Sequence, residues 1–153
     1  MARHPSLCDM DARELVERLH AELFASGDLA TLERFFAPDV VWTTMETGEQ
    51  VRGRSQVRDH IVAMHTQVFD AAPELIGLVV DEGEAMLEAR FVGRHTGTFG
   101  DLEPTGRAVN VPYCVAYDIA DGAITALRAY LPLGMLRAQL TGAPQPARAS
   151  ASA

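Results

Sequence analysis

Residues Met86 to Phe99 form the most constraining stretch of the chain, because strict alternation gives this one long segment two unlike faces. Leu87, Ala89, Phe91, Gly93, His95, Gly97 and Phe99 share one face. Met86, Glu88, Arg90, Val92, Arg94, Thr96 and Thr98 share the other. A period of two is the mark of a half-buried strand, so one face looks into a core and the other into solvent. A strand this long favours a curved sheet wrapped around something. The inward face is apolar except for His95. A titratable ring there suits an acid–base pocket, and it equally suits a core histidine held by a backbone carbonyl. Gly93 and Gly97 flank His95 on its own face, which leaves room either for a ligand or for a sharp bend of the sheet.

The rest of the chain arranges itself around that strand. Asp11 caps a helix carrying Leu15, Val16, Leu19, Leu23 and Phe24 at helical spacing, with Glu14 close to a capping box and Gly27 as the stop. Asp28 caps a second, short helix with Leu32, Phe35 and Phe36 on one side, halted at Pro38. Val40–Thr44 reads as a first strand. A third helix starts at Ser55, turns Val57, Ile61, Met64 and Val68 inward, and ends before Pro73. Strands follow at roughly 74–81, 85–99, 108–119 and 123–131, with hairpin turns at Glu82-Gly83 and Asp121-Gly122. A last helix covers Leu133–Leu140. Helices first and antiparallel strands afterwards predict an α+β fold. It is a cone-shaped half-barrel: a strongly curved, mainly antiparallel sheet on three N-terminal helices, around an internal apolar cavity. One domain over 11–141 is expected, between a flexible leader over 1–10 and a disordered tail over 142–153.

Composition narrows the partners. A formal charge of −8 argues against nucleic acid, whose phosphates need a basic face. No apolar run is long enough for a transmembrane helix, and the N-terminus lacks the apolar core of a signal peptide. Cys8 and Cys114 are isolated, without metal or redox spacing, which fits a reduced, cytoplasmic setting.

Several motifs carry a family resemblance. Phe35-Phe-Ala-Pro-Asp-Val-Val-Trp42 between helices, followed by four strands, resembles the nuclear-transport-factor-2-like superfamily. Gly93-x-His95-Thr96-Gly97-x-Phe99, Pro104-Thr-Gly-Arg107, Asp121-Gly-x-Ile124 and Leu136-Arg-Ala-Gln-Leu140 are similar to the SnoaL-like polyketide cyclases within it. The resemblance covers about residues 12–141. It implies a conical barrel with a deep apolar pocket, no cofactor, and homodimers or larger homo-oligomers built through the outer sheet face. It also implies intramolecular aldol closure of a polyketide by acid–base chemistry. One position departs from the pattern. The family aspartate that follows the last strand falls, by alignment on Tyr130 and Gln139-Leu140, at Pro132, and proline cannot move a proton.

The candidate catalytic groups are therefore His95, Arg128 and Tyr130. In the resembled family the face of the last strand that bears Ile124 lines the cavity, which would bring Ala126, Arg128 and Tyr130 inward. Arg128 would then bind a carboxylate or polarise a carbonyl, or else form an ion pair with a helix acid. Tyr130 would present its hydroxyl at the rim, or simply pack its ring. Trp42, Glu46, Met64, Phe91 and Tyr113 are candidate substrate contacts. Trp42 and Met64 suit pocket wall or core, and Glu46 suits the cavity mouth or an exposed loop. Tyr113 and Tyr117 alternate with Val109, Val111 and Val115, lining either the pocket or an oligomer face. His60 and His65 lie about 140° apart on a regular helix, so they cannot chelate one metal, and no metal site is evident. One would look into the cavity near Ile61 and Met64, with the other solvated. The expected function is cyclisation, isomerisation or dehydration of a hydrophobic, polyketide-like small molecule in secondary metabolism. The alternative is a binding or scaffold protein that has lost the chemistry with the aspartate.

Overall fold

The computed structural model describes residues 10–24 and 29–143. Helix α1 (Ala12–Phe24) starts where the sequence places it, with Asp11 Oδ1 accepting from the Glu14 backbone N–H at 2.8 Å. A 3₁₀ segment, Leu29–Phe35, leads directly into β1 (Phe36–Thr44). The chain therefore turns extended two residues before Pro38. β2 (Glu49–Arg52), a short strand the alternation does not reveal, folds back on β1. Helix α2 (Arg54–Val62) widens without interruption into a π-helical segment, Ala63–Val68.

Four long strands follow: β3 (Phe69–Asp81), β4 (Glu84–His95), β5 (Ala108–Ala120) and β6 (Ala123–Tyr130). Helix α3 (Leu133–Thr141) closes the fold. The sheet order is β2-β1-β6-β5-β4-β3, antiparallel except for the parallel pairing of β1 with β6. This is the expected α+β architecture, a curved, unclosed sheet with helices on its concave side. β3 begins five residues earlier than the pattern suggests and runs straight through Pro73. It can do so because it is an edge strand, where a missing N–H costs no ladder bond. β4 ends at His95 rather than Phe99, and Phe99 instead bridges to Leu102. Both expected hairpin turns are present, with Asp121 and Gly122 at positive φ.

The core divides in two. One cluster packs α1, the 3₁₀ segment and α2 on the sheet through Leu15, Phe35, Val57, Leu87, Ile124 and Leu127. The other joins Phe69, Phe91, Val109 and Val111 to Leu136 and Leu140 of α3. Met10 is buried in the first cluster, inside the span expected as leader. Gly142, at the start of the expected tail, is instead the left-handed C-cap of α3. The remainder of the leader and tail, and the Asp28 cap, lie outside the described residues. Among the described residues no helix is long and apolar enough to cross a membrane.

Candidate active site

The concave side of the sheet encloses a cavity of about 350 Å³ between the two core clusters. Its apolar wall comes from Leu19, Ile61, Met64, Phe91, Val115, Leu127, Ala129 and Leu131. Trp42 and Tyr113 complete it, so four expected contacts, Trp42, Met64, Phe91 and Tyr113, meet at one place. Tyr117 lines it as well, which resolves the open face of β5: the valine- and tyrosine-bearing side turns inward.

The three expected catalytic residues are not in the wall. Ile124 does face inward and is fully buried, but the register of β6 shifts immediately after it. Ile119 pairs with Ile124 and Asp118 with Ala126, leaving Thr125 as an extra residue. A bulge of one residue reverses every later side chain. Leu127, Ala129 and Leu131 consequently face the cavity, while Arg128 and Tyr130 face out. Arg128 forms a two-pronged ion pair with Asp118 at 2.9 and 3.0 Å, and Tyr130 is 46% exposed.

His95 keeps the inward parity of Phe91 but lies below the cavity, completely buried against Phe69 with ring centroids 5.4 Å apart. Its Nδ1 accepts the Thr105 backbone N–H at 3.1 Å, with the Thr105 hydroxyl at 3.0 Å. A neutral ring held in that way carries its proton on Nε2. The flanking glycines serve the chain rather than a ligand. A Cβ on Gly93 would sit 2.1 Å from the Asp70 carbonyl oxygen, and one on Gly97 2.1 Å from that of Gln67. His95 is therefore a core histidine tying β4 to the loop that follows it.

Glu46 is also outside the wall. Its carboxylate accepts the backbone N–H of Leu133 at 2.6 Å. That bond caps α3, whose N-cap residue, Pro132, has no side-chain acceptor to offer.

Three other histidines stand among the polar groups of the cavity: His20, His60 and His65. His20 falls at the helical spacing of Val16, Leu19 and Leu23 in α1, so its inward position was legible in the sequence. His60 and His65 both line the cavity, flanking Ile61 and Met64 on the helix face that meets it, and the turn holding His65 is π-helical. His65 Nδ1 lies 2.8 Å from the carbonyl oxygen of Ile61, and a carbonyl can only accept. The proton is therefore on Nδ1, and Nε2 keeps a free lone pair. Among the described residues nothing donates to that Nε2, which is buried with next to no accessible surface. His60 packs against Trp42 at 5.0 Å and His65 stands edge-on to Phe91 at 5.3 Å.

Burial holds this lining uncharged at neutral pH. It depresses His20 to about 4, helped by the nearby His65. Burial also lowers His65, which the Ile61 carbonyl partly offsets and His60 reinforces. His60 is lowered by burial against the opposing pull of Glu49. Tyr113 and Tyr117 are pushed up by burial and stay protonated. The formal charges, Glu49 and Arg137, belong to exposed residues of the lining. Arg137 is already paired with Asp101 at 2.8 and 3.1 Å. No group of three or more His, Cys, Asp or Glu suited to a metal ion occurs among the described residues.

A curved, unclosed sheet with helices on its concave side around an apolar cavity is the ketosteroid isomerase-like fold. The profile of the SnoaL-like polyketide cyclases matches residues 14–140, and the chain belongs to that family. A protein from Jannaschia sp. CCS1 classed with the SnoaL-like polyketide cyclases superposes with a TM-score of 0.73 at 20% identity, covering 95% of this chain and 99% of that one. TsrD from Streptomyces laurentii superposes with a TM-score of 0.71 at 26% identity, covering 89% and 100%. A ketosteroid isomerase-like protein from Catenulispora acidiphila, solved with trimethylamine, gives 0.69 at 19% identity, covering 87% and 98%. No curated protein sequence matches the chain significantly.

Proposed function

We propose that the protein is a cofactor-independent enzyme that rearranges a hydrophobic, polyketide-like small molecule by proton transfer, as a cyclase or isomerase of secondary metabolism. The observation that carries this is the cavity itself: an apolar chamber of about 350 Å³ whose inner polar groups are neutral histidines and protonated tyrosines. Such a chamber accepts a largely apolar, uncharged ligand and still offers both bases and hydrogen-bond donors to it. The phenols of Tyr113 and Tyr117 are available to steady an oxyanion as it develops. The chain contains no lysine. A carbonyl substrate therefore has no side-chain amine for imine formation, and enolisation by a base is the route left open.

Homodimerisation through the outer sheet face belongs to the same proposal. The apolar side of β5 that suggested it turns inward, but Val79, Met86 and Tyr130 remain exposed. Sedimentation at high micromolar concentration should show a dimer, and a monomer there would remove this part.

The functional test is incubation with hydrophobic aromatic polyketide intermediates, followed by mass spectrometry. Trp42 is the only tryptophan in the chain, and it lines the cavity, so its fluorescence reports entry. Cyclisation or isomerisation leaves the mass unchanged, and dehydration lowers it by one water. Quenching without any turnover would favour the binding-protein alternative.

A further inference from the structure

We infer that His65 is the general base of this cavity; the inference rests on the acid–base reading above. Three observations converge on this residue rather than on His20 or His60. Its tautomer is fixed by an acceptor that cannot donate, the Ile61 carbonyl at 2.8 Å, so the basic lone pair resides on Nε2. Its ring belongs to the cavity wall, beside Phe91. It follows Ile61 by one helical turn, so it shares the face by which Ile61 and Met64 line the cavity.

The step balances without any co-reactant. The α C–H bond of a ketone breaks, the proton goes to Nε2, and the electron pair moves onto the carbonyl oxygen as an enolate. The enolate carbon then bonds to a second carbonyl carbon of the same molecule, and the resulting alkoxide takes the proton back from Nε2. As Nε2 becomes cationic, the Nδ1–H to Ile61 bond becomes charge-assisted and holds the ring in place. The titratable groups that share the cavity with His65 are His20 from α1, His60 from α2, Tyr113 and Tyr117 from β5, Glu49 of β2 and Arg137 of α3. The histidines and tyrosines are uncharged at neutral pH, and Arg137 is paired with Asp101. Protonation of either neighbouring histidine would disfavour a second charge on His65. The base thus works only while His20 and His60 are neutral.

Anthrone, a neutral tricyclic ketone with acidic methylene hydrogens, serves as the probe. Hydrogen–deuterium exchange at its methylene is followed by NMR, and binding is followed by quenching of Trp42. The wild type should accelerate exchange, and the rate should fall only as the pH drops below the ordinary histidine value, because burial lowers His65. His65→Asn keeps a donor for the Ile61 carbonyl but has no basic nitrogen, so exchange should slow about 100-fold or more with binding retained. Arg128→Ala, on the outer face, should exchange as the wild type does. Exchange by His65→Asn at the wild-type rate would overturn the assignment, as would quenching without exchange in the wild type; in both cases the cavity would stand as a binding site. Absence of quenching would instead remove the cavity reading and the base with it. Nitrogen-15 NMR of the wild-type rings gives a check that needs no variant: the Nδ1–H tautomer is expected at His65, and an Nε2–H tautomer there would overturn the proposal.

Discussion

His65 and His95 are the same side chain under opposite constraints, and they mark the two halves of the molecule. At His65 a carbonyl accepts from Nδ1 and leaves the Nε2 lone pair on a ring that walls a cavity. At His95 a backbone N–H donates to Nδ1, Nε2 takes the proton, and Phe69 covers the ring. One ring borders the cavity and the other is packed against Phe69. The backbone group that meets Nδ1 decides which histidine keeps a usable base, and residue type alone does not reveal it.

The sharpest way to break this contrast is beside the packed ring. Gly93→Ala should cost on the order of 4 kcal/mol or more, because its Cβ would meet the Asp70 carbonyl and the Ala71 backbone with nowhere to move. Urea denaturation checks this; near-wild-type stability would mean that β3 can retreat and that the packing there is loose. His95→Ala follows, with an expected loss of roughly 2–4 kcal/mol from the cavity left and the lost Thr105 bond. It should leave the exchange rate of the folded fraction intact, whereas His65→Asn should do the reverse. A slow but stable His95→Ala would merge the two regions.

The third prediction concerns pH. His20 titrates near 6.5 unfolded and at about 4 folded, so the unfolded chain binds the extra proton first. Stability is then complete above about 6.5 and declines as the pH falls from there toward 4, by roughly 3 kcal/mol. His60 and His65, also depressed, act in the same direction. Denaturation midpoints at pH 7.5, 5.5 and 4.5 should fall in that order, and His20→Asn should flatten the trend.

Smaller effects are expected at the rim. Glu46→Ala removes the acceptor from the first turn of α3 and should cost about 0.5–1 kcal/mol. Arg128→Ala breaks a half-exposed ion pair on the outer face and should change stability by less than about 1 kcal/mol, with no effect on ligand entry. A large loss of probe binding in Arg128→Ala would return that side chain to the site.

Much of the fold was legible because it follows from periodicity. Period two laid out β4 and β5, helical spacing laid out α1 and α2, and Asp121-Gly122 supplied a turn that tolerates positive φ. Those rules also placed Met64 and Phe91 on inward faces, while the face of Tyr113 was decided only by the packing of β5. His20 obeyed them too, sharing the inward stripe of α1 with Leu19. What the sequence could not carry were breaks in period. The extra residue at Thr125 turns Arg128 and Tyr130 away from the cavity after Ile124 has entered it. The last turn of the helix, Ala63–Val68, is π-helical where the spacing reads as a regular helix. Both are local changes of phase set by how neighbouring strands and helices pack, so an alternation read along one chain runs straight past them. Charge state was decided in the same way: histidine is ambivalent near neutral pH, and only burial among Leu19, Ile61 and Phe91 keeps these rings neutral.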